Sequence, residues 1–441
     1  MSNLPLKMAR WARAALALGI MMSALAACSI STGNAPTVIT STPNAQGTET
    51  APNVGYGTAY TPQQIRDAYG VTPLYNKGYR GQGQTVVIID SYGSPTLRQD
   101  VAVFDQQYGL PPVKLQTLAP LGSVPFNPGD KEMRGWQGET TLDVEMVHAV
   151  APEASIVVLT SPVDETEGVA GLPQFLQLEQ YAVTHHLGTI VSQSWAASEV
   201  SLNDAAGQAE IAQWNTFFQQ ATTQDHITFF GSSGDNGATD YVDASLSSYS
   251  STPTTSFPGD NPWVTSVGGT TLTDAGGSYQ EVAWNSQGGA SGGGFSRFYA
   301  TPPFQQGLPA SAQSQLNGRR GVPDVAAAAD PTTGLAIYIA GQWTLAGGTS
   351  AGSPFWAGVM AIANQIAGRP LGYINPALYE VAGSSQYDSA FRDVTSGDNS
   401  FSGGGVNVQG YQAGPGWDAV TGLGTPNAEK LIPLLIQDIP A

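Results

Sequence analysis

Cysteine, histidine and charge are all scarce in this chain of 441 residues, and each shortage removes a class of protein. The single cysteine, Cys28, cannot form an internal disulfide, so the fold must be held by its core alone. Only four histidines are present, His148, His185, His186 and His226, and none stands in the glycine-flanked setting of a catalytic imidazole. His185 and His186 are neighbours that would diverge on a helix, so they do not share a site. Charged residues make up 11% of the chain, against roughly 25% in an average soluble domain. Sixteen are basic and 34 acidic, for a net charge of -18, which argues against nucleic acid or an anionic membrane surface as a partner. In acid most carboxylates discharge and few cations remain, so self-repulsion stays modest.

Long apolar runs are also missing. Residues 14–27 are apolar but too few to cross a bilayer, and Lys7, Arg10 and Arg13 precede them, the arrangement of an export signal spanning residues 1–27. Leu25-Ala26-Ala27-Cys28 resembles a bacterial lipobox, which predicts cleavage before Cys28 and a lipidated N-terminus. Ordinary secretion with an idle cysteine is the alternative. Residues 28–55, rich in Ser, Thr, Pro, Asn and Gly, are expected to form a disordered tether. Residues 56–441 then form one elaborated α/β domain without internal repeats.

Against these absences stands residues 347–358, GGTSAGSPFWAG, where a serine in a glycine turn runs into an apolar helix begun by Pro354. Gly347 and Gly348 give the turn its freedom, and small Ala351 and Gly352 allow close approach to the Ser350 hydroxyl. Phe355, Trp356, Val359, Ile362, Ala363 and Ile366 recur at helical spacing and anchor the turn. A helix-capping serine has the same pattern, so the partner residues decide.

Carboxylates are the available partners. In residues 138–152, GETTLDVEMVHAVAP, Glu139 and Asp143 fall at i and i+4 of one helix and head an apolar stripe of Met146, Val147 and Val150. Two like charges there cost stability, which suits a functional pair; Glu145 and Glu153 nearby leave a solvated face open. A short apolar strand at residues 227–230 runs into GSSGDNGA, placing Asp235 in a glycine-rich turn at a strand's carboxyl end. Residues 85–89, ending at Asp90, 155–159 and 189–192, ending near Ser194 and Trp195, read as further parallel strands, whose carboxyl ends should line one crevice. Helices are expected at residues 172–187 and 205–223, and long surface loops at 238–255 and 276–294.

Together Glu139, Asp143, Asp235 and Ser350 resemble the sedolisin, or serine-carboxyl peptidase, family, a subtilisin-like fold in which glutamate replaces histidine. The resemblance runs through YTPQQIRDAYGV (60–71), SFPGDNPWVTSVGGT (256–270), SGGGFSRF (291–298), RGVPDVAAAADP (320–331), GGTSAGSP and AGPGWDAVTGLGTPN (413–427). It implies a doubly wound, mostly parallel sheet flanked by helices, and a peptidase acting on protein or peptide substrates as a monomer in acid; endopeptidase cutting is the expectation, with removal of short N-terminal peptides, which requires a closed cleft end, left open beside it. Glu139 would take the Ser350 proton with Asp143 behind it, and a protonated Asp235 would serve the oxyanion. Asp90 would extend the hydrogen-bond chain from the pair, and Trp195 would adjoin it or simply pack in the core. One calcium ion is implied at the Asp393 and Asp418 carboxylates and the Val394, Gly414 and Gly416 carbonyls.

The SGGGFS run is expected to flank the substrate cleft. Members of that family generally carry a large N-terminal prodomain, whereas only the tether precedes the domain here; folding without a helper, a separate inhibitor chain and an incomplete chain are the three readings. A surface binding protein that keeps the fold without turnover is the alternative function, and a histidine-dependent subtilisin a third, which would need His148 or His226.

Overall fold

The run TVVIIDS cannot be a surface strand: Val86, Val87, Ile88 and Ile89 are all fully buried, as expected of the middle of a sheet covered on both faces. In the computed structural model, which describes residues 49–165 and 167–439, this run is β1 (Thr85–Ser91) at the centre of an eight-stranded sheet. The others are β2 (Lys114–Leu118), β3 (Ser155–Ser161), β4 (Ile190–Gln193), β5 (Thr228–Ser232), β6 (Val264–Asp274), β7 (Tyr279–Ala283) and β8 (Val325–Ala328). Their order is β7-β6-β5-β4-β1-β3-β2, with β8 also paired to β6. Every pairing is parallel except β6 with β7. This is the subtilisin-like α/β architecture that the sequence implied.

Alternation along β1 feeds two cores. Val86 and Ile88 belong to one, built with α1 (Leu97–Tyr108), α2 (Lys131–Val150) and α5 (Gly352–Ala367); Val87 and Ile89 belong to the other, built with α3 (Leu172–Thr184) and α4 (Ala205–Gln224). Helices α2 and α5 pack so closely that a side chain at Gly358 would meet Val150 at 2.8 Å. Asp130 caps α2, its carboxylate accepting from the Glu132 and Met133 amides, so the helix starts seven residues before the predicted Gly138.

Carboxyls are buried well away from the predicted site too. Glu179 of α3 is fully buried, neither oxygen has a partner, and burial raises its pKa well above the ordinary value. Asp260 is likewise fully buried with no partner at either oxygen; burial first, and then the nearby Glu199, raise its pKa well above the ordinary value, and Glu199 accepts from the Arg297 amide at 2.7 Å.

Two expectations need correction. Residues 276–294 are not a plain surface loop: β7 lies within them, paired antiparallel to β6, and Trp284, Ala290 and Ser291 are buried. The end of the expected tether is held rather than loose, because half-buried Glu49 pairs with buried Arg66 at 3.0 Å and accepts from the Gln63 amide. SGGGFS is buried directly behind the turn that lines the cleft: Gly292 donates to the Gly234 carbonyl at 2.7 Å, where any Cβ would meet the Ser233 oxygen at 2.1 Å. The expected signal, Cys28 and most of the tether lie outside the described residues.

Candidate active site

Ser350 sits in a single 3-10 turn, Thr349–Ala351, directly before α5. The turn is possible because Gly348 adopts φ 76° and ψ 165°, a region nearly closed to other residues, and because a side chain there would strike the Asp235 carboxyl at 2.5 Å. Asp235, in the turn after β5, is fixed by Thr349: the Thr349 amide donates to Oδ1 at 2.7 Å and its hydroxyl at 2.8 Å. The two turns are therefore locked side by side at the carboxyl edge of the sheet.

Helix α2 brings the other acids. Glu139 and Asp143, one turn apart, are both buried and point inward, which excludes the solvated reading. The Ser350 hydroxyl lies close enough to the Glu139 carboxyl to lower its proton affinity, while Glu139 Oε1 has no hydrogen-bond partner. Asp143 Oδ1 accepts from the Ser194 hydroxyl at 2.8 Å, and the Ser194 hydroxyl also lies 3.2 Å from the Ser350 carbonyl. Asp90, at the end of β1, is fully buried, unpartnered at both oxygens apart from the nearby Thr140 hydroxyl, and within Coulombic reach of Glu139 and Asp143. Burial is the largest cause raising the pKa of Asp90, Glu139 and Asp143, and for Glu139 and Asp143 repulsion from the neighbouring acids adds to it. Asp235 is raised by burial and restrained by the Thr349 donors. Three acids packed without a cation must share protons, and they titrate as a set.

Trp195 lies just beyond β4, with its ring among Phe175, Trp214 and Phe257 and its edge on the cleft. Its indole N–H has no partner, so it makes no hydrogen bond to Asp90. No histidine lines the cleft. His148 points from the far end of α2 to Asp105, 2.9 Å away, and the other three are exposed.

The residues around Ser350 enclose a cleft of about 220 Å³. Glu132, Trp136, Asp164, Glu165, Glu167 and Asp240 line it beside the acids already named. Sequence reasoning missed these. Glu132 was within reach, since it precedes Glu139 by seven residues and shares its face of the helix; Asp164, Glu165 and Glu167 sit in a loop whose path no periodicity reveals.

At the implied cation site, Asp393 and Asp418 come to one loop. Gly416 donates to Asp393 Oδ2 at 2.9 Å and Gly414 to Asp418 Oδ2 at 3.0 Å, while the Thr421 hydroxyl stands 3.5 Å from the Val394 carbonyl. Asp393 Oδ1 is buried without a partner, and burial pushes Asp418 up to about 6. Among the described residues no group of three or more His, Cys, Asp or Glu side chains is placed to hold a metal. The oxygen-only donors, with one orphaned carboxylate oxygen, fit a hard cation that accepts carbonyl ligands.

Fold and site together define a subtilisin-like α/β protein whose candidate nucleophilic serine faces carboxylic acids and no imidazole. No family model matches the chain. Kumamolisin from Bacillus sp. (strain MN-32) is 35% identical over 384 residues, 86% of this chain and 64% of that protein. Sedolisin from Pseudomonas sp. (strain 101) is 34% identical over 362 residues, 79% of this chain and 57% of that protein. Human (Homo sapiens) tripeptidyl-peptidase 1 is 32% identical over 322 residues, 69% of this chain and 53% of that protein. This chain thus spans between 53% and 64% of the length of these relatives. A solved structure of Pseudomonas sedolisin, described as a serine-carboxyl proteinase complexed with two molecules of pseudo-iodotyrostatin, superposes with a TM-score of 0.71 at 29% identity, covering 87% of this chain and all of that one. The chain belongs to the sedolisin family.

Proposed function

We propose that this chain is an acid-acting serine-carboxyl endopeptidase, with Ser350 as nucleophile and Glu139 as general base and acid. The observation that carries the reading is the Ser350 hydroxyl set beside Glu139 at the end of a buried row of three acids. In the first step Glu139 accepts the Ser350 proton as Oγ bonds to the substrate carbonyl carbon; the same proton then passes to the leaving amine as the C–N bond breaks. Water repeats the sequence on the acyl-enzyme and returns Ser350 to its starting state. Asp143, held by Ser194, orients Glu139, and Asp90 lends the row a further site for the shared protons. Asp235 accepts both Thr349 bonds on Oδ1, which leaves Oδ2 to carry a proton and donate it to the forming oxyanion. An imidazole would be charged in acid and useless as a base, whereas in a row of acids that share protons one carboxyl can be ionised while its neighbours hold theirs.

Calcium is proposed at Asp393, Asp418 and the Val394, Gly414 and Gly416 carbonyls, where it would tie the C-terminal loops together; the orphaned Asp393 oxygen supports this. The N-terminal pattern supports export and a lipid anchor at Cys28, with the peptidase domain as a monomer outside the cytoplasm. The test is digestion of a denatured protein between pH 3 and 7 with calcium present. Cleavage in acid that disappears in Ser350→Ala is the expected result; no cleavage at any of these pH values overturns the reading.

A further inference from the structure

The geometry points to Asp330 as a positioning residue for the proposed reaction: its buried carboxyl closes a ring of hydrogen bonds that holds the Ser350 turn and the Asp235 turn in one frame. This rests on the peptidase reading and names a group outside the cleft on which the reaction depends. The run RGVPDVAAAADP ends in Asp330-Pro331, just past β8, and no step of that reaction touches it. Asp330 is only 2% exposed, does not line the cleft, and pairs with no Lys, Arg or His among the described residues. Four donors surround it instead. Oδ1 accepts from the Thr332 amide at 2.8 Å and the Thr332 hydroxyl at 2.7 Å; Oδ2 accepts from the Thr271 hydroxyl of β6 and from the Ser286 hydroxyl, both at 2.8 Å. A buried carboxyl with both oxygens engaged is a fixed point, because losing any donor leaves a desolvated acceptor short of a partner.

Two branches leave this point. One follows the chain itself: the Ala329 carbonyl accepts from the Gly348 amide at 2.7 Å, and Pro331 lies so close to Gly347 that a side chain there would meet the proline Cβ at 2.7 Å. That branch ends on the Thr349–Ala351 turn and its serine. The other runs through Ser286. Asn285–Ser286 pairs antiparallel with Gly289–Ala290, the Ala290 amide donates to the Asp235 carbonyl at 2.9 Å, and the Ala290 carbonyl accepts from the Gly237 amide at 3.0 Å. Asp235 already accepts from Thr349, so the branches meet and the ring closes through Asp330, Ala329, Gly348, Thr349, Asp235, Ala290 and Ser286.

Closure restricts motions that an open chain of the same bonds allows. A shift of the Ser286 hairpin must move Asp235 relative to the Ser350 hydroxyl or break a bond, and a displacement of about 1 Å can cost ~10²-fold in rate. Thr271 contributes differently. It ties Asp330 to β6, where the Ala329 and Asp330 amides already donate to the Thr270 carbonyl at 2.8 and 3.2 Å. The Thr271 bond is thus a redundant anchor, whereas the Ser286 bond is a link in the ring.

The test sets Ser286→Ala against Thr271→Ala, each of which deletes one hydroxyl from the same oxygen of Asp330. Ser286→Ala should lower kcat by ~10-fold or more with KM little changed, and Thr271→Ala much less, although both lower the melting midpoint to a similar extent. Asp330→Asn should retain most of kcat, since its oxygen still faces Thr332 and its amide can donate to hydroxyls that turn to accept; Asp330→Ala should lose ~10²-fold. Hydrogen exchange on the Ser350→Ala protein reads the ring without turnover: adding Ser286→Ala should speed exchange at the Gly237 and Thr349 amides, and adding Thr271→Ala should not. Equal effects of the two substitutions on kcat, a loss in Asp330→Asn as deep as in Asp330→Ala, or unchanged exchange at Gly237 in the Ser286 variant overturns the proposal. A wild type that cuts no peptide while the exchange pattern holds would instead count against the peptidase reading.

Discussion

In the proposed mechanism the two oxygens of Asp235 have separate tasks, and that division can be tested. Oδ1 is spent on Thr349, so only a protonated Oδ2 has a hydrogen to offer. Asp235→Ala removes that donor and should lower kcat by ~10²–10³-fold with little effect on KM. Asp235→Asn keeps a donor at every pH, so the alkaline limb of the pH–rate profile should move upward or vanish while the acid limb, set by Glu139 and its neighbours, stays in place. If both limbs are unaltered in Asp235→Asn, the oxyanion role assigned to Asp235 is wrong. Glu139→Gln should abolish the burst of acyl-enzyme in a single-turnover experiment, since an amide cannot take the Ser350 proton.

Elements, not residues, place these groups, and here glycine matters more than any side chain. Gly348→Ala must adopt a conformation that costs about 1–3 kcal/mol and must displace the Asp235 carboxyl. Activity should collapse while the chain still folds, measured by a melting midpoint lowered by only a few degrees. Much of this arrangement could be read in advance. A continuous apolar run marks β1 as a central strand, and the i, i+4 spacing of Glu139 and Asp143 puts both on one inward face whatever the helix packs against. The start of α2 was misplaced because its first turns, KEMRGWQ, lack an apolar stripe and its cap, Asp130, follows a glycine turn that carries no helical signal. β7 was missed because YQEVA is only partly apolar and is recruited by β6 through backbone pairing. The acidic wall of the cleft was invisible for a simpler reason: Asp164 and Glu165 join Glu132 there only through the path of the loop after β3. A run of acids in sequence does not say which space it faces.

Across the whole molecule the buried acids make a single forecast for stability. Glu139, Asp143, Glu179 and Asp260 all have raised values, with burial first among the causes. Such groups are protonated in both states below their unfolded value, near ~4, and impose no penalty there. As pH rises the unfolded chain ionises first, so stability is lost progressively until the folded values are passed. The melting midpoint should therefore fall steadily from about pH 4 towards neutrality, and Asp260→Asn should flatten part of that fall. A midpoint that rises over the same interval contradicts the burial of these groups in solution. Calcium removal is a separate test: a chelator should lower the midpoint by several degrees at pH 6, and Asp393→Ala should abolish that sensitivity.

Glu179 stands apart from all the rest, alone in an apolar layer with no donor to either oxygen. An isolated carbonyl in so dry a place vibrates at a frequency that its hydrated counterparts do not share. Infrared difference spectra of the wild type against Glu179→Gln would thus give the protein an internal gauge, reporting the moment at which water first breaches the layer between α3 and the sheet.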